Sequence, residues 1–266
     1  MAEYYNSYSL KHFAGIVADC MGIELPESYA PGIGWVSDIL RQRMGGCADR
    51  AILYHADAVG QYIWQQYTNL FVPVYAYTSM AVPFVSTVES VTPVAHATMY
   101  TGMDPEGHGI KTYDRPQLTC DTLYDVLLRL GKKVAIVAQK DSTFVHIFKG
   151  RKLDYFECEN SAVDVQEKAL ELIKKDEYDV ISIHTFDYDN AAHAFGPESK
   201  QALNAISLEA EGFQKIAEAI CAWERPHRTL LTYSPDHGQH LVMGGRGSHG
   251  SKQTEDMNIL HFFGTI

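Results

Sequence analysis

The chain has 266 residues, 46% apolar and 21% charged, with a formal charge of −11. This balance suits an ordinary globular protein with a sizeable core, and the acidic excess excludes a surface built to coat nucleic acid, which needs a basic stripe. Five widely spaced cysteines (Cys20, Cys47, Cys120, Cys158, Cys221) without a CxxC pair fit reduced thiols rather than a disulfide framework.

The opening MAEYYNSYSLKHFAG has no basic segment followed by an apolar one, and no run approaches the roughly 20 apolar residues of a membrane span. The expectation is a cytoplasmic protein with no membrane partner. Residues 1–45, with ELPESYAPGIGWVSDILRQRMGG, carry no usable motif. They read as an N-terminal extension that covers a sheet edge, shapes a pocket or mediates self-association. AILYHAD (51–57) is the first buried-strand pattern. In SVTPVAHATMYTG (90–102) a helix begins, with Pro93 in its first turn and Thr92 in a position to cap it.

CDTLYDVLLRLGKK has Leu123, Val126, Leu127 and Leu130 at helical spacing, with Thr119 as N-cap and Gly131 as stop. KVAIVAQ (133–139) and YDVISIH (178–184) read as strands, with the helix VDVQEKALELIKKDE between them. The helix SKQALNAISLEAEGFQKIAEAICAWER then precedes the strands TLLTYSPD (229–236) and NILHFFG (258–264). Near-continuous apolar strands alternating with helices predict an α/β fold. The expected architecture is a three-layer α/β/α sandwich with a largely parallel central sheet, formed by residues 1–266 as one domain.

In such sheets the chemistry lies beyond the carboxyl ends of the strands. The first strand ends at Asp57. The strand 178–184 runs into FDYDNAAHAFGP, where Asp189 and His193 are four apart and share one face if a helix begins there. The strand at 229 leads to Asp236 and His237, and GGRGSHGS supplies His249. Mixed carboxylate and imidazole donors suit zinc, manganese or iron better than calcium or magnesium. There are too many for one tetrahedral ion, so two divalent metal ions are expected, zinc ahead of manganese or iron.

With these residues in view, the chain resembles the alkaline phosphatase superfamily, in its type I phosphodiesterase/nucleotide pyrophosphatase branch, over roughly residues 50 to 264. That branch carries Thr-Phe-Pro-Asn-His, then Thr-Gly, then Pro-Glu-x-His-Gly-Ile. TPVAHATMYTGMDPEGHGI (92–110) holds Thr92, His96, Thr101-Gly102 and PEGHGI in the same register. DNAAHAFGP (189–197), DHG (236–238) and GSHG (247–250) match the later motifs. The resemblance implies an alkaline phosphatase-like catalytic domain. It also implies one ion held by Asp189, His193 and His249, and a second held by Asp57, Asp236 and His237 with Thr92 beside it.

A free alcohol is a weak nucleophile at neutral pH, and an adjacent divalent cation lowers its pKa. Thr92 is therefore the expected nucleophile, through a phospho-threonine intermediate, with Ser90 the rival hydroxyl. His96 and His108 match family positions and read as structural residues bonding loop backbone. His184 and Asp187 flank the metal loop and read as hydrogen-bond partners of a ligand, and His240 reads as exposed. The branch has an asparagine after HGI that donates to phosphate. HGIKTYDRP has Tyr113 there, and Thr112, Tyr113 or Arg115 would replace that donor.

The expected activity is metal-dependent hydrolysis of small phosphate esters or anhydrides, most of all diesters and nucleotide-type anhydrides. A phosphomonoesterase, phosphonate hydrolase or phosphomutase on the same scaffold is the alternative. A non-catalytic metal-binding module is the reading outside catalysis. Nucleic-acid polymers are not expected partners, and self-association is left open.

Overall fold

A computed structural model of the chain describes residues 4–114, 116–159, 161–223 and 226–266. Among the described residues the strands are β1 (Tyr8–Ser9), β2 (Arg50–Ala56), β3 (Met80–Val85), β4 (Val134–Gln139), β5 (Asp154–Cys158), β6 (Val180–Thr185), β7 (Thr229–Tyr233), β8 (His240–Val242), β9 (Arg246–Ser248) and β10 (Asn258–Thr265). Its α-helices are α1 (Phe13–Met21), α2 (Gly34–Met44), α3 (Gln61–Gln66), α4 (Val72–Tyr75), α5 (Thr92–Thr101), α6 (Pro105–His108), α7 (Leu123–Arg129), α8 (Thr143–Phe148), α9 (Ala162–Lys175), α10 (Asp187–Phe195), α11 (Lys200–Trp223) and α12 (Thr254–Met257).

Eight strands form one sheet in the order β1-β3-β10-β7-β2-β6-β4-β5, and β8 pairs with β9 as a separate hairpin. Within the large sheet β10 runs antiparallel to both β3 and β7, and the other pairings are parallel. The central strands β7, β2, β6 and β4 are the apolar runs legible in the sequence, and almost every residue in them is buried. Burial on both faces is what a continuous Val/Ile/Leu pattern requires.

Successive residues of a strand point to opposite faces, and the core divides accordingly. Ala51 and Leu53 join one cluster with α1, α2, α5, α7 and α8. Ile52, Tyr54 and Ala56 join another with α3, α9, α10 and α11. The result is a mostly parallel sheet between two helical layers, the α/β architecture expected.

The N-terminal segment takes the first of the roles left open for it, at a sheet edge, and two other details depart from the sequence expectation. Residues before 45 are part of the body: β1 pairs with β3 at the sheet edge through Tyr8↔Phe84, and Phe13, Ile16 and Val17 of α1 are fully buried. The N-cap of α7 is Thr122, not Thr119. Its hydroxyl and the Asp125 carboxylate form a reciprocal capping box. Strand β3 was hidden because it alternates exposed and buried positions and contains Pro83, and β5 because none of its residues is fully buried. The proline is tolerated because β1 pairs with β3 only at Phe84 and Val85.

Candidate metal and nucleophile site

The parallel strands deliver their side chains to one end of the sheet. Asp57 follows β2, Lys140–Ser142 follow β4, Asp189 and His193 ride on α10 just after β6, and Asp236 and His237 follow β7. Two triads result, Asp57–Asp236–His237 and Asp189–His193–His249, each with ligand-type atoms within 4.8 Å of one another. The six side chains singled out in the sequence are thus brought together. The His237 and His249 rings stack with centroids 4.2 Å apart, so the triads adjoin.

Thr92 lies against the first triad. Its Oγ1 is 3.3 Å from Asp57 Oδ2 and 3.3 Å from His237 Nε2. The N-cap position of α5 is Val91, and no side chain caps that helix. The hydroxyl is therefore not engaged as a cap, contrary to the simpler reading of the sequence, and is directed at the acidic and imidazole groups. Gly102 ends α5 with φ +66°, and a Cβ there would meet the Ala30 nitrogen at 2.9 Å, which accounts for glycine in the Thr-Gly motif. The rival Ser90 donates its hydroxyl to the Ser251 carbonyl and lies outside both triads.

The imidazoles are set for ligation. Nδ1–H of His237 donates to the Gly238 carbonyl at 3.0 Å, that of His193 to Gly247 at 3.0 Å, and that of His249 to Ser90 at 3.1 Å. A carbonyl only accepts, so each Nδ1 carries the proton and each Nε2 presents a lone pair. His193 and His249 Nε2 lie 3.3 and 3.6 Å from Asp189 Oδ1. Asp236 Oδ1 accepts from the Ala58 and His237 amides, whereas its buried Oδ2 has no hydrogen-bond partner. Gln239 donates its amide to the Asp189 carboxylate.

Burial sets these groups against one another. It raises the Asp57 carboxyl well above the usual carboxylate range, helped by the charges of Asp236 and Asp189. Burial also raises Asp236 to about 7. The same desolvation pushes His237 down to about 4 and His249 to about 3, the latter helped by His237. Acids that resist ionising beside imidazoles that resist protonating are a poor self-contained arrangement and a good cradle for a divalent cation. With fixed Nε2 lone pairs and an unpartnered Asp236 oxygen, the residues fit cations that accept mixed nitrogen and oxygen donors.

Further histidines stand behind the first triad. His96 Nε2 is 3.5 Å from Asp236 Oδ2, and His184 Nε2 is 3.6 Å from Asp57 Oδ2. Both rings are buried, and Ser142 Oγ holds His184 Nδ1 at 3.0 Å. His96 therefore faces a carboxylate of the triad rather than loop backbone. His108 does bond backbone, accepting from Ile110 N–H. Asp187 accepts from Gln139 and the Ala162 amide instead of contacting a triad residue. His240, expected to be exposed, is largely covered and held by Asp256 at 2.7 Å.

A cavity of about 610 Å³ opens over Thr92, Asp57, Asp189, His193 and His249. Tyr113 is on its wall, and Thr112 is not: Thr112 is exposed and bonds Asp114. Arg115 lies outside the described residues. The wall also includes Lys140, Asp141, Ser142, Thr143, Phe186 and Asn190, which sequence reasoning missed. Position alone signalled them, since each lies just after β4 or β6, where strand-end chemistry is expected.

No family model matches the chain. The human GPI ethanolamine phosphate transferase 2 catalytic subunit is 28% identical over 162 residues, covering 56% of this chain and 16% of that protein. Human ectonucleotide pyrophosphatase/phosphodiesterase 5 superposes with a TM-score of 0.57 at 19% identity, over 73% of this chain and 58% of that one. Phosphonoacetate hydrolase from Sinorhizobium meliloti 1021, in complex with phosphonoformate, gives 0.55 at 17% identity, over 72% and 57%. The chain spans well under two thirds of each of these proteins. These superpositions show that the chain shares its α/β fold with the pyrophosphatase/phosphodiesterase and the phosphonoacetate hydrolase. Among the described residues no helix is long and apolar enough to cross a membrane.

Proposed function

We propose that the chain is a metal-dependent phosphoryl-transferring enzyme that hydrolyses phosphate esters, with Thr92 as nucleophile. Asp189, His193 and His249 would hold one divalent cation, and Asp57, Asp236 and His237 the other, zinc ahead of manganese or iron. Bound there, such ions supply charge that favours the alkoxide of the threonine and neutralises phosphate oxygens. The reading rests above all on Thr92 Oγ1, uncapped and 3.3 Å from both Asp57 Oδ2 and His237 Nε2.

The Asp57 carboxylate accepts the one hydroxyl proton and so orients Thr92 Oγ1 before the reaction, with the His237 Nε2 lone pair at the same distance. Thr92 Oγ1 then attacks phosphorus as the bond to one ester oxygen breaks; the alcohol departs with the threonine proton, and the phosphoryl group stays on Thr92 with any second ester it carries. Water in place of that alcohol completes hydrolysis. Lys140, on the cavity wall, offers a cation to a substrate oxygen in the role assigned in the sequence to Thr112, Tyr113 or Arg115. Diesters and nucleotide-type anhydrides are the leading substrate class, so bis-p-nitrophenyl phosphate is cleaved faster than p-nitrophenyl phosphate. A clear reverse preference overturns the diester assignment in favour of a monoesterase.

A second reading is transfer of ethanolamine phosphate to an alcohol, favoured by the human relative and by Asp141, whose carboxylate on the cavity wall suits an ammonium group. Hydrolysis and transfer share the phospho-threonine step and differ in the acceptor. Faster turnover of the p-nitrophenyl ester of phosphoethanolamine than of bis-p-nitrophenyl phosphate, with product appearing on an added alcohol, selects this reading.

A further inference from the structure

The β8–β9 hairpin leaves the first triad at His237 and returns to the second at His249, and its tip is apolar and exposed. Leu241 is 65% exposed, Val242 36% and Met243 100%, with Phe195 at the end of α10 55% exposed beside them. Glycines let the hairpin base lie flat on α10. A Cβ on Gly247 would meet the Ala192 carbonyl oxygen at 2.7 Å, and one on Gly196 would meet the Gly245 oxygen at 2.7 Å. Gly245 in the turn and Gly247 in β9 are thus seated on α10 and its C-terminal end, while Leu241, Val242 and Met243 stay exposed.

Leu241 and Val242 are consecutive in β8, so their side chains point to opposite faces. A docking strand for a protein partner is apolar on one face. A tip that is apolar on both faces and at its turn suits an apolar medium that surrounds it. Its charge also differs from that of the chain. Residues 237–254 contain no Asp or Glu, although the chain has 33, and they carry the exposed Arg246 and Lys252; Glu198 and Glu255 lie in the groove on the Leu241 side. Apolar residues flanked by cations match a phospholipid surface, acyl region inside and headgroup phosphates outside.

We propose that this hairpin is a peripheral lipid-contacting tip: Leu241, Val242 and Met243 enter the outer apolar layer of a phospholipid surface, and Arg246 meets its phosphates. The sequence expectation of no membrane partner rested on spanning segments, which a peripheral contact does not need. If the chain acts on phosphate esters as proposed above, the contact presents the cavity to esters borne by lipid headgroups. The binding itself is independent of that chemistry.

The test is co-sedimentation with vesicles of equimolar phosphatidylcholine and phosphatidylethanolamine, using the metal-loaded protein. The wild-type chain partitions to the vesicles. The Leu241→Ser, Met243→Ser double variant partitions at least about tenfold more weakly, with an unchanged thermal midpoint, as loss of two inserted apolar side chains requires. In a separate variant, Met243→Trp, tryptophan emission shifts to the blue on vesicle addition and is quenched by brominated lipid. Wild-type protein that stays in the supernatant, equal partitioning of the double variant, or Trp emission indifferent to vesicles overturns the proposal. So does light scattering that shows a wild-type dimer made monomeric by the double substitution, which would assign the tip to self-association.

Discussion

His193 Nε2 and His249 Nε2 stand 3.0 Å apart, while the Nδ1 of each is committed to a backbone carbonyl. Two lone pairs at that distance repel unless a proton or a cation lies between them, and burial opposes protonation of His249. Titration with zinc or manganese is therefore expected to detect a site that either His193→Ala or His249→Ala weakens. The loss should exceed the roughly 10- to 100-fold typical of partners that only orient a ligand. Unchanged affinity in both variants contradicts the assignment of this triad.

Thr92 and His96 lie four residues apart on α5, so one helix presents a hydroxyl to Asp57 and an imidazole to Asp236. If the Asp57 triad holds a cation as proposed, His96 and His184 would act through those carboxylates, as positioning groups. His96→Ala and His184→Ala should each lower metal affinity at the Asp57 triad about 10- to 100-fold and perturb the visible spectrum of the cobalt(II)-loaded protein. Affinity and spectrum identical to wild type would remove them from that role.

Lys140 lines the cavity and pairs with Glu159 across an exposed surface, an interaction that adds little to stability. Lys140→Ala should leave the thermal midpoint unchanged and reduce kcat/KM about tenfold, mostly through KM, as loss of a charge-assisted contact predicts. An equal fall in kcat with KM constant would instead make Lys140 specific to the transition state.

Glu209 supplies a pH test outside the metal residues. Its carboxylate accepts the Tyr188 amide at the start of α10, and burial, aided by Asp187, raises it from 4.5 to about 8. Between those values the folded chain keeps a proton that the unfolded chain has lost. Stability from this group is thus full below about pH 4.5 and is lost as pH rises through 8. The slope it adds is at most about 1.4 kcal/mol per pH unit. Glu209→Gln should flatten the wild-type decline in thermal midpoint between those limits. Parallel profiles for the two proteins contradict a proton held there.

The core strands and the two triads were legible because both obey local rules. Buried strands read as apolar runs, and strand-end residues such as Asp57 and Asp236 follow them directly. Asp189 and His193 declared themselves by their four-residue spacing on α10. Lys140 and Phe186 were missed because one charged or aromatic residue after a strand has no pattern of its own. Strand β3, next to the short edge strand β1, was missed because partial cover leaves a weak alternation broken by Pro83. The place of α1 depends on long-range packing, such as Phe13 against His55 and His261, which no local periodicity encodes.

Single-turnover hydrolysis of bis-p-nitrophenyl phosphate by metal-loaded wild type and Thr92→Ala, with mass spectrometry of the acid-quenched protein, bears most directly on the central claim. Wild type should carry a transient phosphoryl adduct on the peptide containing Thr92. The variant, with unaltered metal content, should carry none and lose at least about a thousandfold in rate. Undiminished hydrolysis by Thr92→Ala, or an adduct on any other residue, would contradict Thr92 as the group that receives the phosphoryl.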